Sequence, residues 1–143
     1  MPLTVAEVRQ RVAVAVEALA GWTESRLHPD LFGADTASLA HHAFGVRVAQ
    51  TEVFNGERPK LRHPAAVQTV LEVLVAHRLR GDAQVADYDS ATNAEQEVVR
   101  AVHAISRQDL HIAFQAIARE LRGDGTWHVA TLTFHTIHEY ALQ

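Results

Sequence analysis

The sequence predicts an α+β domain: an antiparallel or mixed four-stranded sheet, two main helices packed on one face of it, and a long β-hairpin loop. Two observations lead to this class. Apolar residues recur at helical spacing in two segments and alternate with polar residues in the others. The resulting order is helix, strand, strand, helix, strand, strand, which is typical of α+β domains. The 143 residues, 48% of them hydrophobic, suffice for one core, so residues 1–143 are assigned to a single domain.

The first helix is predicted over residues 4–20. Thr4 and Glu7 fit a capping box, and Gly21 follows as a C-terminal stop. The apolar stripe of this helix comprises Val5, Val8, Val12, Val16 and Leu19. Residues 22–42 contain Pro29 and Gly33 and are predicted to form a loop-rich connection. Three of its apolar side chains should pack onto the core: Trp22, Leu31 and Phe32.

The second helix is predicted over residues 90–106, with Ser90 or Thr92 as its cap. Its apolar stripe comprises Ala94, Val98, Val102 and Ile105. Asp87 and Asp89 would then precede the helix as turn and capping residues.

Residues 43–54 and 67–80 alternate in polarity and should pair antiparallel as one long hairpin. In the first strand, Phe44, Val46 and Val48 share a face, and Arg47 and Thr51 share the other. In the second strand, the apolar face comprises Val67, Thr69, Leu71, Val73, Val75 and Leu79.

Residues 109–122 fit either a strand or a helix, because Leu110, Ile112 and Phe114 alternate while Ile117 and Leu121 lie at helical spacing from Phe114. We favour a strand. Residues 123–125 then form a turn, and residues 126–140 form the last strand.

Ten histidines raise the question of a metal site. In a strand, His128 and His138 share a face and His135 points to the other, so these three do not converge. His41 and His42 are adjacent and would diverge in regular structure. The spacing therefore predicts no metal site and favours partly exposed strand histidines, while a site assembled from distant histidines stays open.

Motifs for catalysis or cofactor binding are missing from the sequence. It has no cysteine, no G-x-S-x-G, no phosphate-binding loop and no G-x-G-x-x-G. No spacing supports a nucleophile–base pair. We expect neither catalytic residues nor a cofactor.

The net charge and the hydropathy of the sequence indicate which classes of partner are not expected. The net charge of −4 does not indicate binding to bulk nucleic acid or an acidic membrane. No apolar run reaches the roughly 18 residues of a membrane span. We expect a soluble product that is intracellular when it is made.

A basic cluster lies in the predicted hairpin loop: Arg58, Lys60, Arg62 and His63. Residues 46–80 carry six basic and three acidic residues, whereas residues 81–99 carry five acidic residues and no lysine or arginine. The loop is either simply solvated or a contact surface that meets the opposite charge on a neighbouring subunit. Unlike patches that pair head to tail suit a closed ring.

The C-terminal stretch GTWHVATLTFHTIHEY resembles the closing strand of the tail terminator (tail completion) proteins of long-tailed bacteriophages, of the lambda type. The resembling residues are Trp127, Ala130, Leu132, Thr133, Phe134 and Ile137. The segment DYDSATNAEQEVVRAVHAI is similar to the tyrosine–aspartate helix entry of small phage neck and tail proteins. The order of elements is similar over most of the 143 residues.

The resemblance implies a structural virion protein and not an enzyme. Such proteins form a hexameric ring that caps the head-proximal end of the tail tube, ends tube polymerisation and joins the tail to the head connector. Implied partners are further copies of the chain, the tail tube protein and the connector or neck protein, with DNA passing through the lumen only as cargo. The implied location is the neck end of the virion tail, and the host cytoplasm during assembly.

Residues 55–66 match by position the family's loop that reaches neighbouring subunits or the tube. The chain departs from the lambda type in its longer 22–42 region and its ten histidines, which leaves contractile and flexible tails both open. Two alternatives remain: another head–tail neck or connector ring protein, and a small histidine-dependent metalloenzyme.

Overall fold

The computed structural model describes residues 2–53 and 66–140. They form a mixed sheet with two α-helices, in agreement with the predicted α+β class. The elements are α1 (Val5–Glu17), β1 (Thr23–Glu24), two short 3-10 turns (Pro29–Leu31 and Thr36–Ser38), β2 (Ala43–Val53), β3 (Ala66–Arg78), α2 (Gln84–His103), β4 (Leu110–Arg122) and β5 (Trp127–Glu139). The sheet has five strands, not four, in the order β1-β2-β3-β5-β4. The additional strand is the two-residue β1, which pairs parallel to the start of β2.

Helix α1 begins as its sequence predicts. The Oγ1 atom of Thr4 accepts a hydrogen bond from the backbone N–H of Glu7 at 3.1 Å. The helix ends at Glu17, before the predicted end at residue 20, and Gly21 (φ 85°) lies in the chain reversal that follows. Its buried face comprises Val8, Val12, Ala13 and Val16.

Helix α2 begins at Gln84, six residues before its predicted start. The predicted caps Ser90 and Thr92 are therefore wrong, and Asp87 and Asp89 lie inside the helix. The residue at the N-cap position, Ala83, has no capping side chain. Instead, the carboxylate of Asp87 links the first turn to the preceding segment by hydrogen bonds. No capping motif in the sequence predicts this contact.

Among the described residues, no helix combines the length and the apolar character that crossing a membrane requires.

Two β-bulges change which side chains share a face. In β2 the register against β3 shifts between Val48 and Gln50, so Thr51 lies opposite Thr69 on the helix-covered face and not beside Arg47 as predicted. In β4 the shift lies between Phe114 and Ala116. This bulge explains why the apolar residues of β4 alternate at first and then change parity, which made the segment resemble a helix.

The main core lies between the two helices and one face of the sheet, with Phe44, Leu71, Val73, Leu132 and Phe134 fully buried at its centre. Among the described residues, the other face is covered at one end, by the connection that contains the 3-10 turns. There Phe32 packs against Leu74, Ala76 and Val129. Trp22 and Phe32 are buried as predicted, but Leu31 is 53% exposed.

Phe134 tests the assignment of the core. Its side chain is fully buried. Truncation to alanine (Phe134→Ala) should lower the free energy of unfolding by about 3–5 kcal/mol, because it removes buried apolar surface and leaves a cavity. The matched control is Val85→Ala on α2, where the native side chain is 78% exposed. Chemical denaturation should show a change within roughly 0.5 kcal/mol for this control. Equal losses in the two variants would contradict the assigned core.

Candidate functional site

The interface residues predicted from the sequence, Arg58, Lys60, Arg62 and His63, lie outside the described residues. The described residues instead bring together a group of side chains that the sequence analysis did not connect. His41, His42 and His77 each offer a ring nitrogen, and these nitrogens all lie within 4.8 Å of one another. We call these three residues the histidine cluster.

The backbone around His42 creates the histidine cluster. His42 has a left-handed conformation (φ 59°). Its N–H donates to the carbonyl of Ala76 at 2.8 Å, and its carbonyl accepts from the N–H of Thr23 at 3.2 Å. These bonds hold His42 between β3 and β1, directly beside His77 near the end of β3. The prediction that His41 and His42 diverge assumed regular structure and is wrong, because their rings stack with centroids 3.9 Å apart.

Stacking and hydrogen bonds then orient the rings. Trp22 stacks on the other face of His42, with centroids 4.2 Å apart and planes 3° from parallel. The Nε2 atom of His42 lies 3.0 Å from Nδ1 of His77. The Nδ1 atom of His41 accepts from the backbone N–H of Arg78 at 3.1 Å. The three imidazoles therefore occupy defined positions.

The surroundings of the histidine cluster favour neutral rings. Burial, together with repulsion from neighbouring histidines, lowers the pKa of His42 and of His77 to about 4. Burial also lowers the pKa of His41, against the opposing effect of the Asp87 carboxylate. At neutral pH each ring therefore retains one nitrogen lone pair that can accept a hydrogen bond or bind a metal ion.

An ion pair forms one wall of the same cleft. The carboxylate of Asp87 accepts from Nε and NH2 of Arg80, at 3.0 and 2.9 Å, and from the backbone N–H of Arg80 at 2.8 Å. These hydrogen bonds lower the pKa of Asp87 to about 2. The cleft has a volume of about 570 Å³ and is lined by the three histidines together with Arg78, Arg80, Asp87 and Ser90.

The positions of these histidines in the sequence are consistent with the cluster, but the sequence does not give the register between β2 and β3. In an antiparallel hairpin, the residue before one strand lies near the end of the other, so His42 could have been placed near His77 had the register been known. The bulge in β2 shifts that register by one residue. No residue type marks the bulge, so the spacing alone could not bring the two histidines together.

A second polar group is buried next to the histidine cluster. His128 lies opposite His77 in the register of β3 and β5, and Glu95 of α2 reaches it from above the sheet. Nε2 of His128 donates to Oε2 of Glu95 at 2.6 Å, and Nε of Arg119 donates to Oε1 at 2.9 Å. Burial by itself would raise the pKa of Glu95, but the hydrogen bonds from His128 and Arg119 outweigh it and hold the pKa below its ordinary value.

The faces predicted for the β5 histidines are confirmed, and His135 is partly exposed as predicted, but the exposure predicted for the other two is wrong. His128 and His138 lie on the helix-covered face and are buried. The Nε2 atom of His138 lies 2.9 Å from the hydroxyl of Thr69, and Nδ1 lies 3.2 Å from the carbonyl oxygen of Glu139. These contacts make burial of the ring possible, because both of its nitrogens have partners.

The Glu95 network should contribute strongly to stability. Glu95→Ala leaves His128 and Arg119 without their carboxylate, and the free energy of unfolding should fall by about 3–5 kcal/mol. Glu95→Gln keeps the size of the side chain and should cost less. The matched control is Glu97→Ala, an exposed glutamate on the same helix. It should change stability by less than roughly 0.5 kcal/mol in urea denaturation. A Glu95→Ala chain as stable as the control would mean that the network is not formed.

His138 should make stability depend on pH. Burial lowers its pKa in the folded chain. The unfolded chain takes up this proton near pH 6.5 and thus binds more protons than the folded chain just below that pH. The free energy of unfolding should therefore decrease as the pH falls from about 7 to about 5. Denaturation at several pH values should give a shallower decrease for His138→Gln, whereas His103→Gln, at an exposed ring, should retain the native slope.

Strand β4 presents an exposed edge of the sheet. Its inner edge pairs with β5, and within residues 2–53 and 66–140 no strand pairs with its outer edge. It is 13 residues long, which corresponds to about 43 Å of strand. Two large apolar side chains on it remain exposed, Phe114 at 42% and Leu121 at 63%. We call this feature the β4 edge.

The segment 81–99, which contains most of α2, carries a smaller acidic surface than its sequence suggests. Of the five acidic residues in 81–99, Asp87 and Glu95 are held by the contacts described above. Three remain exposed, Asp82, Asp89 and Glu97, and we call them the acidic patch. Two exposed apolar side chains lie on the same helix, Val85 and Tyr88.

A comparison with models of known protein families and one with curated protein sequences both gave no match to this chain.

Proposed function

We propose that this chain is a structural subunit of the tail terminator ring of a long-tailed bacteriophage, the function that the resemblance of its C-terminal strand implies. In this proposal six copies form a ring at the head-proximal end of the tail tube. The ring ends tube polymerisation and offers its other side to the head connector. The chain acts through its contacts and not through catalysis.

The β4 edge is the observation that carries the proposal. An exposed strand edge presents unpaired N–H and C=O groups, and proteins normally shorten, charge or cover such edges. Here the edge is 13 residues long and carries Phe114 and Leu121 in exposed positions. A neighbouring subunit that covers it would bury both side chains and satisfy backbone groups, which favours an assembling subunit.

The distribution of charge supports a ring over a symmetric pair. The acidic patch lies on α2 and the residues just before it, whereas the basic residues Arg58, Lys60 and Arg62 belong to the connection between β2 and β3. In a two-fold dimer, unlike surfaces meet only if both lie within the one self-complementary interface; otherwise surfaces of one sign face each other and repel. In a head-to-tail arrangement unlike surfaces meet at every contact. Such contacts close into a ring when the rotation per subunit allows it, and each one is then strengthened by the others.

The proposal predicts a hexamer whose formation depends on these unlike charges. Light scattering after size exclusion should show a mass near 95 kDa, about six times the subunit mass of 15.8 kDa, as the concentration rises. Negative-stain class averages should show rings with a central hole. Reversing one surface, by Arg58→Glu with Arg62→Glu or by Asp89→Arg with Glu97→Arg, should abolish the ring, because like charges then meet.

Combining the two pairs of substitutions restores opposite charges and should restore assembly. Arg26→Glu, at an exposed arginine outside both surfaces, is the control for charge reversal as such and should leave the ring intact. A chain that stays monomeric at millimolar concentration would contradict a preformed ring. Assembly that is equal in all variants would show that the contact does not use these charges.

A neck or connector ring is the second candidate, because the same surfaces would serve it. The partner distinguishes the two. A terminator caps isolated tail tubes and stops their growth, whereas a connector subunit binds the portal side and leaves tube growth unchanged.

A further inference from the structure

We infer that His41, His42 and His77 form a binding site for one divalent transition-metal ion, with Zn²⁺ as the expected occupant. This inference is independent of the proposed ring, because all three ligands come from a single chain. The ion would bind in the cleft beside Asp87 and Ser90.

The spacing of the ring nitrogens supports the site. Two nitrogens bound to one Zn²⁺ at about 2.0–2.1 Å lie roughly 2.9–3.4 Å apart, depending on the angle at the metal. Nε2 of His42 and Nδ1 of His77 are already 3.0 Å apart. The hydrogen now shared between these rings would move to the other nitrogen of the same ring, which a neutral imidazole does by changing tautomer. This pair therefore forms the centre of the site.

His41 completes the set of three nitrogens. Its ligand atom lies within 4.8 Å of those of the other two, so a small rotation of the side chain brings it to metal-binding distance. In the metal-free chain, its Nδ1 accepts from the N–H of Arg78. Arg78 is exposed, so this N–H can bond to water when His41 turns to the ion. We therefore expect His41 to contribute less affinity than His42 or His77.

The charges around the cleft are compatible with a cation. Two arginines line the cleft. Arg80 is paired with the Asp87 carboxylate through two hydrogen bonds, and Arg78 is exposed to solvent, which screens its charge. The three imidazole ligands are uncharged in their neutral form, so they do not repel a cation. Three imidazole nitrogens with one side open to the cleft suit zinc, copper, nickel or cobalt, and not magnesium or calcium, which prefer oxygen ligands.

The site would link two distant segments. His41 and His42 precede β2, and His77 lies near the end of β3, 35 residues further along the chain than His42. An ion bound to all three would hold the connection after β1 against the end of the hairpin. Because the unfolded chain does not assemble the three nitrogens, the ion should raise the Tm.

The test is a titration of chain freed of any histidine tag and treated with a chelator, with ZnCl₂ in one sample and CoCl₂ in another. Calorimetry should give one Zn²⁺ per chain, and MgCl₂ should give none. Co²⁺ should develop the visible absorption of a low-coordinate nitrogen site. His42→Ala and His77→Ala should each weaken Zn²⁺ binding by more than about ten-fold, and His41→Ala should weaken it less.

Two controls keep the outcome clear. His103→Ala and His111→Ala remove exposed histidines outside the cluster and should bind Zn²⁺ as the parent chain does. Far-UV circular dichroism should confirm that each variant is folded, and His77→Gln replaces His77→Ala if the latter is not. The inference is overturned if the parent chain binds no stoichiometric Zn²⁺, or if folded His42 and His77 variants bind it as tightly as the parent.

Discussion

The antiparallel register between β3 and β5 is the constraint on which the rest of this structure depends. The two central strands pair from Ala66 with Glu139 to Arg78 with Trp127 without a bulge. This uninterrupted pairing decides which side chains of both strands face the helices. Because side chains alternate along a strand, a shift of one residue would move the whole apolar set to the other face. The two strands that flank this pair, β2 and β4, each contain a bulge and adjust to it.

The same register separates the helix-covered face into an apolar centre and two polar ends. At one end His138 meets Thr69, and at the other His77 lies opposite His128, which Glu95 engages. Every buried side-chain nitrogen and oxygen in the described part of the chain has a hydrogen-bond partner. Satisfied polar groups at the ends of the strands make alternative registers costly, because a slip would leave these groups buried without partners.

The candidate surfaces occupy different parts of this framework. The histidine cluster lies where β1, β2 and β3 meet near the start of α2. The β4 edge is the opposite edge of the sheet. The acidic patch lies on α2, which packs on the sheet, and on the residues just before this helix. A metal ion in the cluster would act within one subunit, by holding the connection before β2 in place. The β4 edge would act between subunits, so the two features can be lost independently.

The sequence by itself determined the types of the elements, because periodicity depends only on neighbouring residues. It placed α1, the β2–β3 hairpin and β5 within a few residues and favoured a strand for β4. It also put His128 and His138 on the apolar face. Only the tertiary structure decided where α2 begins, because Asp87 is held by Arg80 and not by a capping motif. Only the tertiary structure brought the three residues of the histidine cluster together, because their meeting depends on a bulge in β2 and on the left-handed backbone of His42. Register depends on contacts between distant segments, and the change of parity that accompanies the β4 bulge fits helical spacing equally well in the sequence.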